Sequence, residues 1–208
     1  MVPKGTAFIE PGVVAFDNVD GFLSEQVITE DVNFNDIEGN WAYSSSMAIA
    51  EKGILNGYED GTFQPKASVT RAEFTVMLVN ALQPTAQEGS TQFKDAVPAW
   101  ANNAIARAVS AGWVSGYEDH TFRANEQITR AEMTTIVARA LGLTPDPVNE
   151  SLSGFADDGD IPVWAKGSVT VAKQQGIISG STGNKFHPQD IATRAEAVTV
   201  IMEIIKGL

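Results

Sequence analysis

Three arginines carry the chemistry this sequence offers most plainly: Arg71, Arg130 and Arg194. Each stands in the tetrapeptide Thr-Arg-Ala-Glu, from Thr70 to Glu73, Thr129 to Glu132 and Thr193 to Glu196. A guanidinium presents a planar fork of N–H donors that fits a carboxylate or a phosphate. The residues around it read as a helix start. Thr followed three positions later by Glu, ahead of an apolar-periodic run, is a capping box. The Thr hydroxyl accepts the backbone N–H of the Glu, and the Glu carboxylate accepts that of the Thr. Such a cap contributes about 1 kcal/mol. The Arg falls at the first helical position, where the helix dipole disfavours a cation, and capping does not require it. Two explanations stand on the residues alone. Either an anion is bound jointly by the guanidinium and the free N–H groups of the helix start, or the Arg forms an ion pair with an acidic side chain.

The elements that position these arginines repeat with them. Each Arg lies thirty residues after a Trp: Trp41, Trp100 and Trp164. That fixed distance marks three versions of one structural unit. The units span 32–82, 92–143 and 154–205, joined by polar stretches punctuated by Pro and Gly. At about 50 residues each, a lone unit has a marginal core, so the units are expected to pack on one another. Residues 1–31 lie outside the repeat and read either as a short hairpin on the array or as the remnant of an adjacent domain.

Within a unit the order is constant. Phe-x-Asp opens it (Phe34 and Asp36, Phe93 and Asp95, Phe155 and Asp157). A helix follows with the Trp in its first turn and a seam of small residues at helical spacing, such as Ala101, Ala104, Ile105 and Ala108. It stops at Gly53, Gly112 and Gly176. A tight loop comes next, Gly57-Tyr58-Glu59-Asp60-Gly61 in the first unit and Gly116-Tyr117-Glu118-Asp119-His120 in the second. His120 and Asn184 replace Gly61, and both tolerate left-handed backbone, so the turn is expected to persist in all three units. In the third, Ser181 replaces the Tyr and Gly183 the Asp. That unit is expected to keep its fold and change its surface. The Thr-Arg-Ala-Glu helix closes each unit.

Composition limits what the arginines can serve. The chain has 208 residues, 43% hydrophobic and 19% charged, with a formal net charge of −12. That balance argues against nucleic acid and anionic membrane surfaces, which call for basic patches. No Cys is present, so there is no disulfide framework and no zinc–cysteine site. His120 and His187 occupy non-equivalent positions and lack metal-ligand partners at helical spacing. No nucleophile, phosphate-loop or calcium-loop motif is found. The reading is therefore of no catalytic residues, no metal and no cofactor. No apolar run reaches membrane-span length, and the start lacks the apolar core of a signal peptide. The chain reads as cytoplasmic or as a segment of a larger secreted protein.

Phe-x-Asp, Trp-Ala, Gly-Tyr-x-Asp-Gly-Thr-Phe and Val/Ile-Thr-Arg-Ala-Glu, in this order and three times over, resemble the S-layer homology domain. The resemblance covers residues 32–205. It implies a mainly α fold, a pseudo-threefold spindle around a central three-helix bundle, which the small-residue seam would suit. It implies a secreted module on the bacterial cell surface, a monomeric pseudo-trimer. Such a module binds an anionic cell-wall polysaccharide, a secondary cell-wall polymer with a pyruvylated amino sugar, in grooves between repeats. Arg71, Arg130 and Arg194 match the family's ligand-contacting Arg. Trp41, Trp100, Trp164, Gly57, Tyr58, Asp60, Gly116, Tyr117 and Asp119 are the further groove candidates. Ser181 and Gly183 put one groove in doubt and leave one or two competent sites. The alternative is a lattice-assembly module with the arginines in structural ion pairs. Replacing Arg71 and Arg130 by Ala is expected to abolish wall binding with little change in stability if the arginines serve a ligand.

An acidic protein that binds an acidic polymer must do so through local pockets, against long-range repulsion. Exposed charges separated by more than about 10 Å are screened at 0.1 M salt, whereas pocket contacts are not. Affinity for purified polymer, measured by calorimetry, should change little between low and physiological salt. A steep loss would contradict pocket binding.

Overall fold

The computed structural model describes residues 33–58, 60–85, 92–144 and 153–207. The expected hairpin or domain remnant at 1–31 and most of both inter-unit stretches lie outside these residues. Among the described residues the chain is mainly helical, with no β-strand. The helices are α1 (Tyr43–Glu51), α2 (Arg71–Leu82), α3 (Ala99–Ser110), α4 (Arg130–Ala140), α5 (Val163–Gln174) and α6 (Arg194–Gly207). A short 3-10 turn, Asp158–Asp160, precedes α5.

The predicted helix signals operate. α1, α3 and α5 stop at glycines with φ of 65°, 75° and 71°. In each case the Gly N–H and the next N–H bond back to carbonyls of the last turn (for α3, Gly112 to Val109 and Trp113 to Ala108, both 2.9 Å). Two such backward bonds around a left-handed residue satisfy the orphan carbonyls of a helix end. Trp100 and Trp164 sit in the first turn of α3 and α5, after Pro98 and Pro162. Trp41 departs from the expectation: it precedes α1, outside the helix. Gly39 (φ 73°) stands where the other units have Pro98 and Pro162, and Asn40 Oδ1 accepts the Ala42 N–H at 2.9 Å.

The Phe-x-Asp motif holds each loop. Asp95 accepts the backbone N–H groups of Phe122 and Arg123, both at 2.7 Å. Asp36 and Asp157 do the same for Phe63 and Gln64 and for Phe186 and His187. The second residue of each pair is left-handed without being Gly: Gln64, Arg123 and His187 have φ of 55°, 59° and 55°. The carboxylate's two charge-assisted bonds offset the cost of that conformation. His120 (φ 65°) and Asn184 (φ 54°) adopt the left-handed turn expected of them. The third loop keeps the same backbone bonds, Ser181 N–H to Lys185 O at 2.8 Å matching Tyr117 N–H to Thr121 O at 2.8 Å.

The units join in a cycle. α2 packs on α3, α4 on α5 and α6 on α1, so each second helix lies against the first helix of the following unit. The small-residue seam is buried in these contacts, with Ala42, Ala101, Ile105, Ala108, Ala165, Val169 and Ala172 inaccessible to water. It faces the second helix of a neighbouring unit, and the second helices are themselves the most enclosed, with α2 also packed on α6. Three backbone bonds close a ring: Val69 N–H to Ala192 O at 3.0 Å, Ala192 N–H to Ile128 O at 2.9 Å and Ile128 N–H to Val69 O at 2.9 Å. This cyclic order is compatible with the pseudo-threefold spindle.

Because the extensive helix pairs lie between units, a single unit cannot cover its own apolar faces. A peptide spanning residues 92–143 alone should be largely unfolded by circular dichroism at 25 °C. Cooperative, native-like melting of that peptide would refute the interlocked packing.

Candidate functional site

The capping boxes form as the residue pattern demands. Thr70, Thr129 and Thr193 accept the N–H of Glu73, Glu132 and Glu196 at 3.2, 3.2 and 3.3 Å. In each box one carboxylate oxygen, Oε2, takes the Thr backbone N–H at 2.7 to 2.9 Å. The other, Oε1, takes no part in the cap and is bonded by Tyr117 at Glu132 and by Arg130 at Glu196.

The helix-start N–H groups are not free, which corrects the expectation that they help bind an anion. Arg71 N–H donates to Glu126 O and Ala72 N–H to Ala124 O, at 2.9 and 3.0 Å. Arg130 and Ala131 use Asp190 and Pro188, and Arg194 and Ala195 use Ala67 and Pro65. Every one of these acceptors belongs to the next unit in the cycle. The donors are consumed in joining the units and are not available to an anion.

Each side chain reaches into the next unit's loop. Arg194, 2% exposed, donates from Nε to Phe63 O at 2.8 Å and from Nη2 to Asn56 O at 3.2 Å, over the rings of Tyr58 and Phe63. Arg130 donates from Nε to Phe186 O at 2.7 Å and forms a tight ion pair through Nη1 with Glu196 Oε1. Arg71 is arranged differently. It is 8% exposed, its Nη2 donates to Ser115 O at 2.9 Å, and its buried Nε has no partner among the described residues. Its nearest carboxylate oxygen, Glu132 Oε1, stands at 4.0 Å from Nη1. That oxygen accepts the Tyr117 hydroxyl instead. Burial and the Glu132 bond push the Tyr117 hydroxyl up to about 12. Burial would raise the Glu132 carboxyl, but hydrogen bonds from Tyr117 and Thr129 and the Arg71 charge outweigh it and leave it below its ordinary value.

Two grooves gather these groups from three units at once. The first, roughly 670 Å³, is lined by Arg71 of the first unit, by Gly116, Tyr117, Asp119, Glu132 and two further arginines of the second, and by Trp164 of the third. The second, roughly 570 Å³, brings Arg130 together with Gly180, Ser181, Glu196 and Trp41. The Trp that shares a groove with an Arg is therefore never the one thirty residues before it. Trp164 and Trp41 are 58% and 66% exposed, as a stacking platform requires. Trp100 is half-buried against the core and lines neither groove.

Other candidates have structural duties. Asp60 and Asp119 each accept the N–H and hydroxyl of the Thr two residues on, at 3.0 and 2.6 Å. Asp60 does this on the exposed loop edge, and Asp119 does it within the first groove. These bonds, with that from Arg123, hold the Asp119 carboxyl down to about 2. The arginines missed by the repeat reading are Arg123 and Arg139. Arg123 stacks on Tyr117 at 4.1 Å, and Arg139 acts on Arg71 through its like charge. Comparing units was the available signal, since the equivalent positions hold His187 and Glu203 in the third.

Gly57 and Gly116 are required by space rather than by a positive φ. A Cβ on Gly116 would lie 2.7 Å from Phe93 Cε1 and 2.8 Å from Thr121 O. Gly116→Ala should destabilise the protein by about 1–3 kcal/mol, as overpacking does, read as a lowered midpoint in urea. An unchanged midpoint would show that the loop yields freely.

Residues 33–75, 92–134 and 154–198 each match the S-layer homology domain. The exoglucanase XynX of Acetivibrio thermocellus is 38% identical over 86% of this chain and 17% of its own length. The surface-layer 125 kDa protein of Lysinibacillus sphaericus is 32% identical over 85% of this chain and 15% of its own. The cellulosome-anchoring protein of Acetivibrio thermocellus is 34% identical over 64% of this chain and 31% of its own. The chain thus spans less than a third of each of these relatives. With three tandem matches that together take in well over half of its residues, the chain belongs to the S-layer homology domain family.

Proposed function

We propose that this chain is a non-catalytic anchor that holds its protein at the bacterial cell surface by binding an anionic cell-wall polysaccharide. The observation that carries this is Arg71: a buried guanidinium that has, among the described residues, an unpartnered Nε and no carboxylate closer than 4.0 Å, with an exposed Trp164 on the same groove. A cation that has lost its hydration calls for an anion, and an exposed indole supplies an apolar face for a sugar ring. A pyruvyl ketal on an amino sugar combines both features, a carboxylate on a ring. The names of the relatives support the placement: one is a surface-layer protein, another a cellulosome-anchoring protein. The exoglucanase relative extends far beyond the matched segment, so an enzyme can carry this module beside a separate catalytic part. Among the described residues no helix is long and apolar enough to cross a membrane, and no acidic or His cluster could hold a metal ion.

The reading with arginines in structural ion pairs has one observation in its favour, the Arg130–Glu196 pair. It applies to that groove. For Arg71 the Glu132 carboxylate stops at 4.0 Å.

Substitution by Ala is a poor test, contrary to the simple expectation from sequence. Arg71 packs on Tyr117 and Phe122 at 5.0 and 4.9 Å, and truncating so buried a side chain costs about 1–3 kcal/mol in stability. Arg71→Lys keeps the charge and loses the fork. Titrated with a pyruvylated amino sugar, it should bind about ten- to a hundredfold more weakly, as expected for losing a charge-assisted bond. Its melting temperature should stay within a few degrees of the parent's. Unchanged affinity in this variant would overturn the role of Arg71 in binding.

A further inference from the structure

We propose that the loop residue at 117 or 181 decides which charge class of sugar each groove admits. Tyr117 leaves Arg71 open to a carboxylate-bearing sugar, whereas Ser181 lets Glu196 close on Arg130 and makes that groove a site for an uncharged sugar. The proposal rests on the carbohydrate-anchoring reading and assigns the two grooves different ligands.

The argument begins with the capping glutamates. All three use Oε2 for their own helix cap, and Glu132 and Glu196 turn Oε1 toward the Arg of the preceding unit. Capping therefore delivers a competing anion into both grooves. In the Arg71 groove the Tyr117 hydroxyl takes that oxygen, and the guanidinium remains 4.0 Å away. In the Arg130 groove no phenol is available. The Ser181 hydroxyl turns back to Lys185 O at 3.3 Å, and Glu196 Oε1 joins Arg130 directly. The two loops share the same backbone bonds, so the difference resides in side chains, and the one that holds Glu132 Oε1 is Tyr117.

The surroundings follow the same division. Arg139 lines the Arg71 groove with Arg123, whose charge is paired with Asp119 at 3.0 Å. The third unit has His187 and Glu203 at the equivalent positions. A carboxylate entering the Arg130 groove must break a formed ion pair and then face Glu196, a like charge. An uncharged sugar leaves the pair intact. It would find the exposed face of Trp41, the polar backbone and hydroxyls of Ser179, Gly180 and Thr182, and the space a phenol ring would have filled. Roughly 570 Å³ suits one or two sugar rings.

The test uses the full chain, with the indole N–H resonances of Trp164 and Trp41 as separate reporters. Titrants are a pyruvylated amino sugar and the same sugar without its ketal. The acidic sugar should shift Trp164 and the neutral one Trp41. Tyr117→Phe keeps the stacked ring and frees Glu132 to approach Arg71. It should weaken the acidic sugar at Trp164 by about tenfold, the equivalent of one hydrogen-bonded charge contact, with the neutral sugar at Trp41 unaffected. Ser181→Tyr should let the acidic sugar shift Trp41. Equal binding of the acidic sugar in both grooves, or no effect of either substitution, overturns the proposal. If the acidic sugar behaves as expected at Trp164 but the neutral one moves neither indole, the proposal falls and the anchoring reading stands. If neither sugar binds, both fall.

Discussion

Each Thr-Arg-Ala-Glu helix begins by giving its first two N–H groups to carbonyls of the next unit. Helix starts leave donors that must be satisfied, and in most proteins the helix's own cap or water does it. Here the Thr serves the third N–H and a foreign loop serves the first two. Because each unit supplies this loop to one neighbour and takes it from the other, three units close a cycle. The ring through Val69, Ala192 and Ile128 and the helix pairs across units express the same constraint. A unit too small to bury a core becomes stable by completing another's.

That constraint places the chemistry. The Arg follows the capping Thr, so its side chain projects over the loop that the helix start has just captured. It lies on aromatic rings of that loop, Tyr117 and Phe122 for Arg71, Phe186 for Arg130, Tyr58 and Phe63 for Arg194. The capping Glu of the captured unit comes along with its loop. At the two grooves an Arg of one unit thus meets the loop and capping Glu of the next, with a Trp from the remaining unit. The grooves are products of assembly, and no unit contains one.

Equivalent frameworks then diverge by single side chains. The Asp that pins each loop through two N–H bonds is present three times, and the loop backbone follows it even where Ser181 and Gly183 replace Tyr and Asp. A rigid backbone lets the side chains above it vary without disturbing the fold. The consequence is electrostatic: one guanidinium is neutralised by a carboxylate and another is held from it by a phenol.

Much of this was legible in the residues. Helical periodicity announced the six helices, the glycines the end of the first in each unit, and Thr with Glu the cap of the second, because these depend on neighbours within a turn or two. His120 and Asn184 disclosed the left-handed turn for the same local reason. The repeat itself, and with it the family, needed only spacing. Tertiary structure decided what lies farther than a turn away. Sequence distance pairs Trp41 with Arg71, but the cyclic packing pairs it with Arg130 and gives Arg71 to Trp164. The helix-start donors, free in a lone helix, are consumed by a neighbour's carbonyls. The second oxygen of the capping Glu has no part in the helix cap; Tyr117 of the same unit takes it at Glu132, and Arg130 takes it across the junction at Glu196. Local order could name the residues of the site; which of them meet, and with what net charge, depended on how three units close on one another.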